Sequence, residues 1–310
     1  MKQLLILTRR EFWEHRGTFL ILPAVVTGVF IGFLLLLLLG LSSNSIAINI
    51  DADWESEYET HELRVEDSSL MDVFGMKMAE LAAMPESVRE HRLDQLFTGI
   101  SLIWIGVLWI VIIFYLLGAL YDDRRDRSVL FWKSMPVSDA LTVGAKLAAG
   151  LVLAPMIYLG FIVIAHLSLA MAATIGASGQ QFSLWDTLWV SANFFSRWAG
   201  FLVLYAFTVL WCLPFFGWLL LVSSWAKSAP MAWAVGVPIL LALLEGMLLG
   251  SDVLGRFFLE HMLSIEFWQQ GREVISNFQL PEALEFVSAL VVGMVLVALA
   301  VWQRGKADEI

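Results

Sequence analysis

The chain has 310 residues, of which 59% are hydrophobic, with 14 tryptophans, 21 phenylalanines and a formal net charge of −10. This composition excludes an ordinary soluble globular domain. Spread evenly, the acidic balance would speak against nucleic acid or anionic lipid as a partner, but the charge is unevenly distributed along the chain. Apolar runs of about 20 residues are long enough to cross a hydrocarbon core of roughly 30 Å. A helix satisfies its own backbone there, so the expected fold class is an all-α integral membrane protein in a lipid bilayer.

The first element predicted is an interfacial helix over residues 1–17. Leu4, Leu5, Leu7, Thr8 and Phe12 share one arc at helical spacing, while Lys2, Arg9, Arg10 and Glu14 lie elsewhere. Ile6 and Trp13 fall on the polar side, and a solvated stub is the alternative. Residues 18–41 follow as the first span. The run is longer than a secretory core, its charged lead is long, and Leu41-Ser42-Ser43-Asn44-Ser45 is a poor cleavage site, so the span is read as uncleaved.

Residues 42–97 read as a large acidic loop outside the membrane. Its run from Asp51 to Glu59 alternates acids with other residues, but Ser56 stands where a calcium loop needs glycine. A solvated loop is therefore expected, with a landing surface for a cationic substrate or an outer partner as the functional alternative.

Span two covers 98–120 and carries Trp104 and Trp109. With Trp211 and Trp218 of span four they line an aromatic path or else are ordinary packed or lipid-facing aromatics. The charged stretch 121–139 comes next, with Arg124, Arg125 and Asp126 followed by Val129-Leu130-Phe131-Trp132 and then Pro136. An amphipathic helix that Pro136 ends is expected, and Ser138 or Asp139 can cap the helix after it. Its aromatic pair needs a partner surface.

Spans three and four cover 140–173 and 199–222, holding Pro155 and Pro214, both tolerable in a membrane helix. Between them, residues 174–198 carry Trp185, Trp189 and Trp198 as interfacial anchors. Span five covers 230–250 and contains Glu245, an acid that faces a water-filled path or snorkels outward. His166 in span three is expected to hydrogen-bond a neighbouring helix. Residues 251–283 suggest short amphipathic helices at the outer face, around Leu254, Phe257, Phe258, Met262 and Phe267, before span six at 284–302.

Lys and Arg set the orientation. Lys2, Arg9, Arg10, Arg16, Arg124, Arg125, Arg127, Lys133, Lys146, Lys227, Arg304 and Lys306 all fall on one side, which makes both termini cytoplasmic. Gly28 to Gly32 and Gly246 to Gly250 fit GxxxG and permit close helix packing. The lone Cys212 reads as a small buried hydrophobe. The chain contains no GxxxxGK[ST], HExxH, CxxC or GxSxG, and its five histidines have no metal-ligand spacing. No metal site and no enzyme activity of its own are expected.

In order and spacing these features resemble a permease subunit of the ABC type-2 exporter superfamily, over essentially the whole chain. Arg9-Arg10-Glu11-Phe12 stands in a basic elbow helix, and a large loop follows span one. A charged patch from Asp122 to Arg127 follows span two, then Ser134-Met135-Pro136-Val137-Ser138, then Lys146 opening span three. Arg127-Ser128 departs from the Gly-Thr common at that point of the family.

The resemblance implies a single permease domain over 1–310, with 121–139 as a cytoplasmic coupling helix resting on a separate ATP-binding subunit. Glu11, Arg124, Arg125, Asp126, Phe131, Trp132 and Pro136 are then the docking residues. ATP and magnesium belong to that partner, and this chain holds no cofactor. A second permease subunit, identical or related, completes the path in a cell inner membrane. Spans two and five would line the path, which brings Trp104, Trp109 and Glu245 forward. The alternative is a non-transporting anchor that recruits a cytoplasmic ATPase for maturation or signalling. The substrate is not legible.

Overall fold

A computed structural model describes residues 2–43, 70–126, 137–178, 183–262 and 283–306. All regular structure among these residues is helical. In chain order the helices are α1 (Lys2–Glu14), α2 (Leu22–Ser43), α3 (Leu70–Ala83), α4 (Glu86–Ala119), α5 (Tyr121–Arg125), α6 (Asp139–Ala148), α7 (Ala154–Gly176), α8 (Phe194–Trp211), α9 (Leu213–Trp225), α10 (Pro230–Leu249), α11 (Val253–Met262) and α12 (Ala283–Lys306). Single π-helical turns at Gly17–Ile21, Ala149–Leu153 and Trp185–Val190 lead into α2, link α6 to α7 and precede α8.

Among the described residues, six helical stretches are long and apolar enough to cross a membrane: Gly17–Gly40, Glu86–Arg125, Asp139–Gly176, Trp185–Trp211, Pro230–Leu249 and Leu284–Lys306. Some hydroxyls inside them bond back to their own helix, as Thr174 does to Ala170 O and Thr208 to Leu204 O, and others reach a neighbouring element, as Tyr205 does to Leu151 O. Such bonds satisfy these hydroxyls without water. Large apolar side chains stand exposed along the same stretches, among them Leu36 at 68% and Met247 at 83%. Exposure on this scale fits a surface bathed in lipid.

Two expectations are corrected. The loop expected over 42–97 is helical through most of its second half, in α3 and the first turns of α4. The span expected over 199–222 is interrupted at Cys212, where α8 ends and α9 begins. Pro214 has no N–H for the carbonyl four residues back, and its fixed φ suits the first turn of a new helix. The crossing stretch is therefore Trp185–Trp211, and α9 is a separate shorter helix.

Contacts divide the chain into two compact units where the sequence reads as one domain. The first comprises Met1–Leu22, Ile105–Leu159 and Trp198–Ile310. Its main packing is α9 against α12, with α1 lying on α6 and the π turn that follows. A Cβ on Gly293 would lie 2.6 Å from Leu213 Cγ, so only glycine permits this crossing. Phe19, Leu108, Ile112, Leu116, Leu120, Tyr158, Phe216 and Leu220 fill the interior.

The second unit comprises Pro23–Trp104 and Gly160–Arg197. Phe97 anchors it, edge-on to Phe194 at 5.2 Å and to His166 at 5.0 Å. His166 bonds Ser101 Oγ at 3.0 Å and Phe97 O at 3.1 Å, the interhelical role expected of it. Arg197 pairs with Asp94 and lies over the Phe97 ring at 5.2 Å.

Among the described residues, no neighbouring helix packs against Gly28 or Gly32. A Cβ on Gly28 or Gly32 would meet nothing within 4 Å. Gly250 serves instead as the left-handed residue that ends α10, at φ +63°.

Candidate functional site

The chemistry of the first unit concentrates in a buried charge cluster. Lys146 Nζ, on α6, lies 3.2 Å from Glu11 Oε1 on α1 and 3.4 Å from Asp123 Oδ1 on α5. The Tyr115 hydroxyl of α4 donates to Glu11 Oε2 at 3.0 Å. Arg304, near the end of α12, bridges to Asp139 at the start of α6 and comes within 3.9 Å of Asp123 Oδ2. Lys146 and Glu11 are each 2% exposed, so this is interior rather than surface chemistry.

Local sequence positions each member. α1 is amphipathic and turns Glu11 inward beside Phe19, which follows in the π turn. Ser138 accepts from Leu141 N at 3.2 Å and caps α6, whose inner face carries Thr142, Val143, Ala145 and Lys146. A Cβ on Gly150 would lie 3.0 Å from the Tyr115 ring, so the missing side chain gives that ring its place. His15, one turn after Glu11, packs edge-on to Tyr115 at 4.8 Å. Burial holds its imidazole below the ordinary value, against the opposing pull of Glu11 and Glu14.

Two buried carboxylates and two buried cations, with the partly exposed Asp139 at their edge, cannot be held together for their net worth. Desolvation opposes such pairs, and their common use is to fix one arrangement of the elements that carry them. Here five helices, α1, α4, α5, α6 and α12, are tied at one point. Asp123 and Asp139 stand on either side of residues 127–136. Both flanks of that segment are therefore anchored in the same cluster.

A second latch lies beside it. Arg124 is buried and donates to Ser223 O at 3.0 Å and Ala226 O at 2.6 Å, at the end of α9. Ser223 Oγ accepts from the backbone N–H groups of Leu120 and Tyr121 at 2.9 and 3.0 Å, where α4 gives way to α5. Those N–H groups would otherwise be unpaired inside the protein.

The docking residues named from the sequence therefore separate. Glu11 and Arg124 are buried and engaged within the chain. Arg125 is exposed, pairing with Asp122 and Asp126 at 3.2 Å each. Phe131, Trp132 and Pro136 lie outside the described residues.

The path residues also find partners within the chain. Trp104 is fully buried and donates to Thr27 Oγ1 at 3.0 Å, edge-on to Phe30. Trp109 stacks on Phe216 at 5.5 Å. Trp211 and Trp218 donate to Glu260 O and Ala234 O. These indoles join helices rather than lining an open surface.

Glu245 is also structural. Its carboxylate accepts from Ser251 Oγ at 2.7 Å, Val253 N at 2.9 Å and Leu254 N at 2.8 Å, closing the first turn of α11. That helix is part of the amphipathic segment expected over 251–283, and the rest of the segment and Phe267 lie outside the described residues. In α11, His261 stacks on Trp211 at 4.5 Å, and burial lowers its pKa against the hydrogen bond to Phe257 O. Glu245→Ala should speed amide exchange at residues 253 and 254 by about fivefold or more, as expected for a lost helix cap, while Glu245→Gln retains part of the protection. Hydrogen exchange in detergent micelles measures it, and unchanged exchange in the alanine variant would remove the capping role.

Sequence reading missed Tyr115, Asp139, Arg304 and Ser223 as partners. One signal was present. Lys146 lies well inside an apolar stretch, and a lysine there requires a counter-charge from elsewhere. Among the described residues, no group of three or more His, Cys, Asp and Glu is placed to hold a metal ion. No family model, no curated protein and no solved structure matches this chain.

Proposed function

We propose that this chain is the membrane-spanning permease subunit of an ATP-driven exporter of the ABC type-2 kind, driven by a separate ATP-binding subunit. The observation that supports the reading best is the anchoring of both flanks of residues 127–136 in one charge cluster, buried at Asp123 and at its edge at Asp139. A lever transmits movement only when its ends are fixed to the parts it moves. Asp123 and Lys146 join the lever to α4, α5 and α6, Glu11 joins it to α1, and Arg304 joins it to α12.

On this reading, residues 127–136 rest on the ATP-binding subunit at the cytoplasmic face, where both termini also lie. Closure of the ATP-binding subunits moves the segment as a rigid body, and the cluster passes the displacement to the spans. ATP and magnesium are bound by the partner, and a second permease subunit completes the path in the cell inner membrane. Exposed Arg125 and Asp126 set register at the rim of the contact, while Phe131 and Trp132 provide its apolar centre.

The test is a photo-reactive amino acid in place of Lys133, activated in native membranes before purification of the chain. An ATP-binding subunit cross-linked at that position is the expected product. If no ATPase is captured or co-purified, the reading fails. If one is captured but purified complexes show no substrate-stimulated ATP turnover, the chain is an anchor that recruits an ATPase without transport.

A further inference from the structure

A groove of about 320 Å³ lies between the C-terminal parts of α9 and α12, lined by Leu221, Trp225, Leu299, Trp302 and Gln303. Both helices belong to the first unit, and their close crossing at Gly217 and Gly293 sets the axis from which the groove opens. Its walls are apolar except for Gln303. Trp302 stands 57% exposed beside it. Trp233, in the first turn of α10, meets Trp225 edge-on at 5.2 Å. Three indoles thus gather at one level, the arrangement of side chains that sit where hydrocarbon meets headgroups.

One lysine is placed at the edge of the groove, and the Asp139 carboxylate lies near Gly305, one residue before it. Lys306 Nζ sits 3.7 Å from the centroid of the Trp302 ring. Lys227 follows Trp225 by two residues and is exposed. Arg304 is buried and paired with Asp139, so it belongs to the charge cluster and not to this rim. No acidic residue occupies the first turn of α10. An apolar slot capped by indoles and lysine ammoniums is complementary to a molecule with a hydrocarbon tail and a phosphate. A zwitterionic headgroup would bring its own cation against these lysines.

We propose that the groove binds one anionic phospholipid. An acyl chain lies along Leu221, Leu299 and Trp225, and the phosphate meets Lys306 and Lys227 with Gln303 as a neutral donor. The inference rests on the chain crossing a bilayer and is independent of any ATPase partner. Such a lipid would wedge α9 and α12 together at the end that carries Arg304, and so bear on the charge cluster from outside.

The experiment is native mass spectrometry of the full chain purified in mild detergent. The chain is delipidated and titrated with phosphatidylglycerol or with phosphatidylcholine of the same acyl composition. One tightly held phosphatidylglycerol per chain is expected, with phosphatidylcholine bound more weakly. The Lys227→Ala/Lys306→Ala variant, altered only at exposed side chains, should bind phosphatidylglycerol about 25-fold more weakly, at roughly fivefold per lysine. Equal retention of the two lipids, or undiminished binding by the double variant, would overturn the proposal. A disulfide forming between two Trp302→Cys copies in bilayers containing phosphatidylglycerol would give the groove to a second copy of the chain and overturn it as well.

Discussion

Replacing Lys146 by methionine should lower the unfolding free energy by about 3–5 kcal/mol, the cost of leaving buried charge without its partner. Lys146 is 2% exposed and is the cation nearest to both Glu11 and Asp123. Methionine matches its volume, so packing is retained and the charge alone is lost. Arg304 is paired with Asp139 and, of the two carboxylates that Lys146 serves, approaches only Asp123, at 3.9 Å, so it cannot take over Glu11. The midpoint of chemical unfolding in detergent, followed by tryptophan fluorescence, measures the effect.

A control separates charge from shape. Adding Glu11→Gln and Asp123→Asn to Lys146→Met removes the stranded carboxylates and should restore most of the loss, because neutral replacement of a buried ionic group is often tolerated. Tyr115 can still donate to the amide oxygen at position 11. A Lys146→Met protein as stable as the parent would mean that the carboxylates have another partner, and the cluster would lose its role as an anchor. If stability returns in the triple variant but transport does not, the charges serve movement rather than folding.

The second large effect is expected at Phe131 and Trp132. Changing both to alanine should weaken association with the ATP-binding subunit by roughly 100-fold or more, since aromatic anchors at an interface centre typically contribute about 2 kcal/mol each. ATP turnover by the partner should persist while transport stops. Arg125→Ala offers the contrast, because its side chain is exposed and shares its charge with Asp122 and Asp126. A rim residue of that kind mainly alters the association rate and its salt dependence. Affinity measured by titration of the partner against reconstituted protein discriminates the two. Wild-type affinity in the Phe131→Ala/Trp132→Ala protein would end the docking argument, though it would leave the charge cluster intact.

These two expectations concern different distances along one device. Lys146 tests whether the flanks of the segment are fixed to the spans, and Phe131 with Trp132 tests whether the segment holds a partner. A transport defect from the first with normal ATPase binding, and from the second with a normally folded protein, is the pattern that a lever requires.

Much of the architecture was legible from composition and period. A run such as Thr18 to Leu41 has only one low-energy state in hydrocarbon, because every backbone group must be paired within the segment. The amphipathic arc of Leu4, Leu5, Thr8 and Phe12 likewise announced α1, and Ser138 announced the start of α6. These are local properties, decided by residues within a few turns of one another.

Tertiary structure decided the rest, because its causes lie far apart in the chain. Pro214 was visible, but whether it bends a span or ends one depends on what surrounds the freed carbonyl, and here the helix stops at Cys212. Glu245 read as a path residue until α11 folded back to place the N–H groups of Val253 and Leu254 against it. Glu11 and Lys146 meet across 135 positions, and Asp139 and Arg304 across 165. Sequence placed Lys146 among the cytoplasmic cations, at the opening of span three, and named no carboxylate for it. Which carboxylate reaches it was decided by the packing of α1 on α6, because Coulomb attraction in a low-dielectric interior acts between neighbours in space and leaves no periodic trace along the chain.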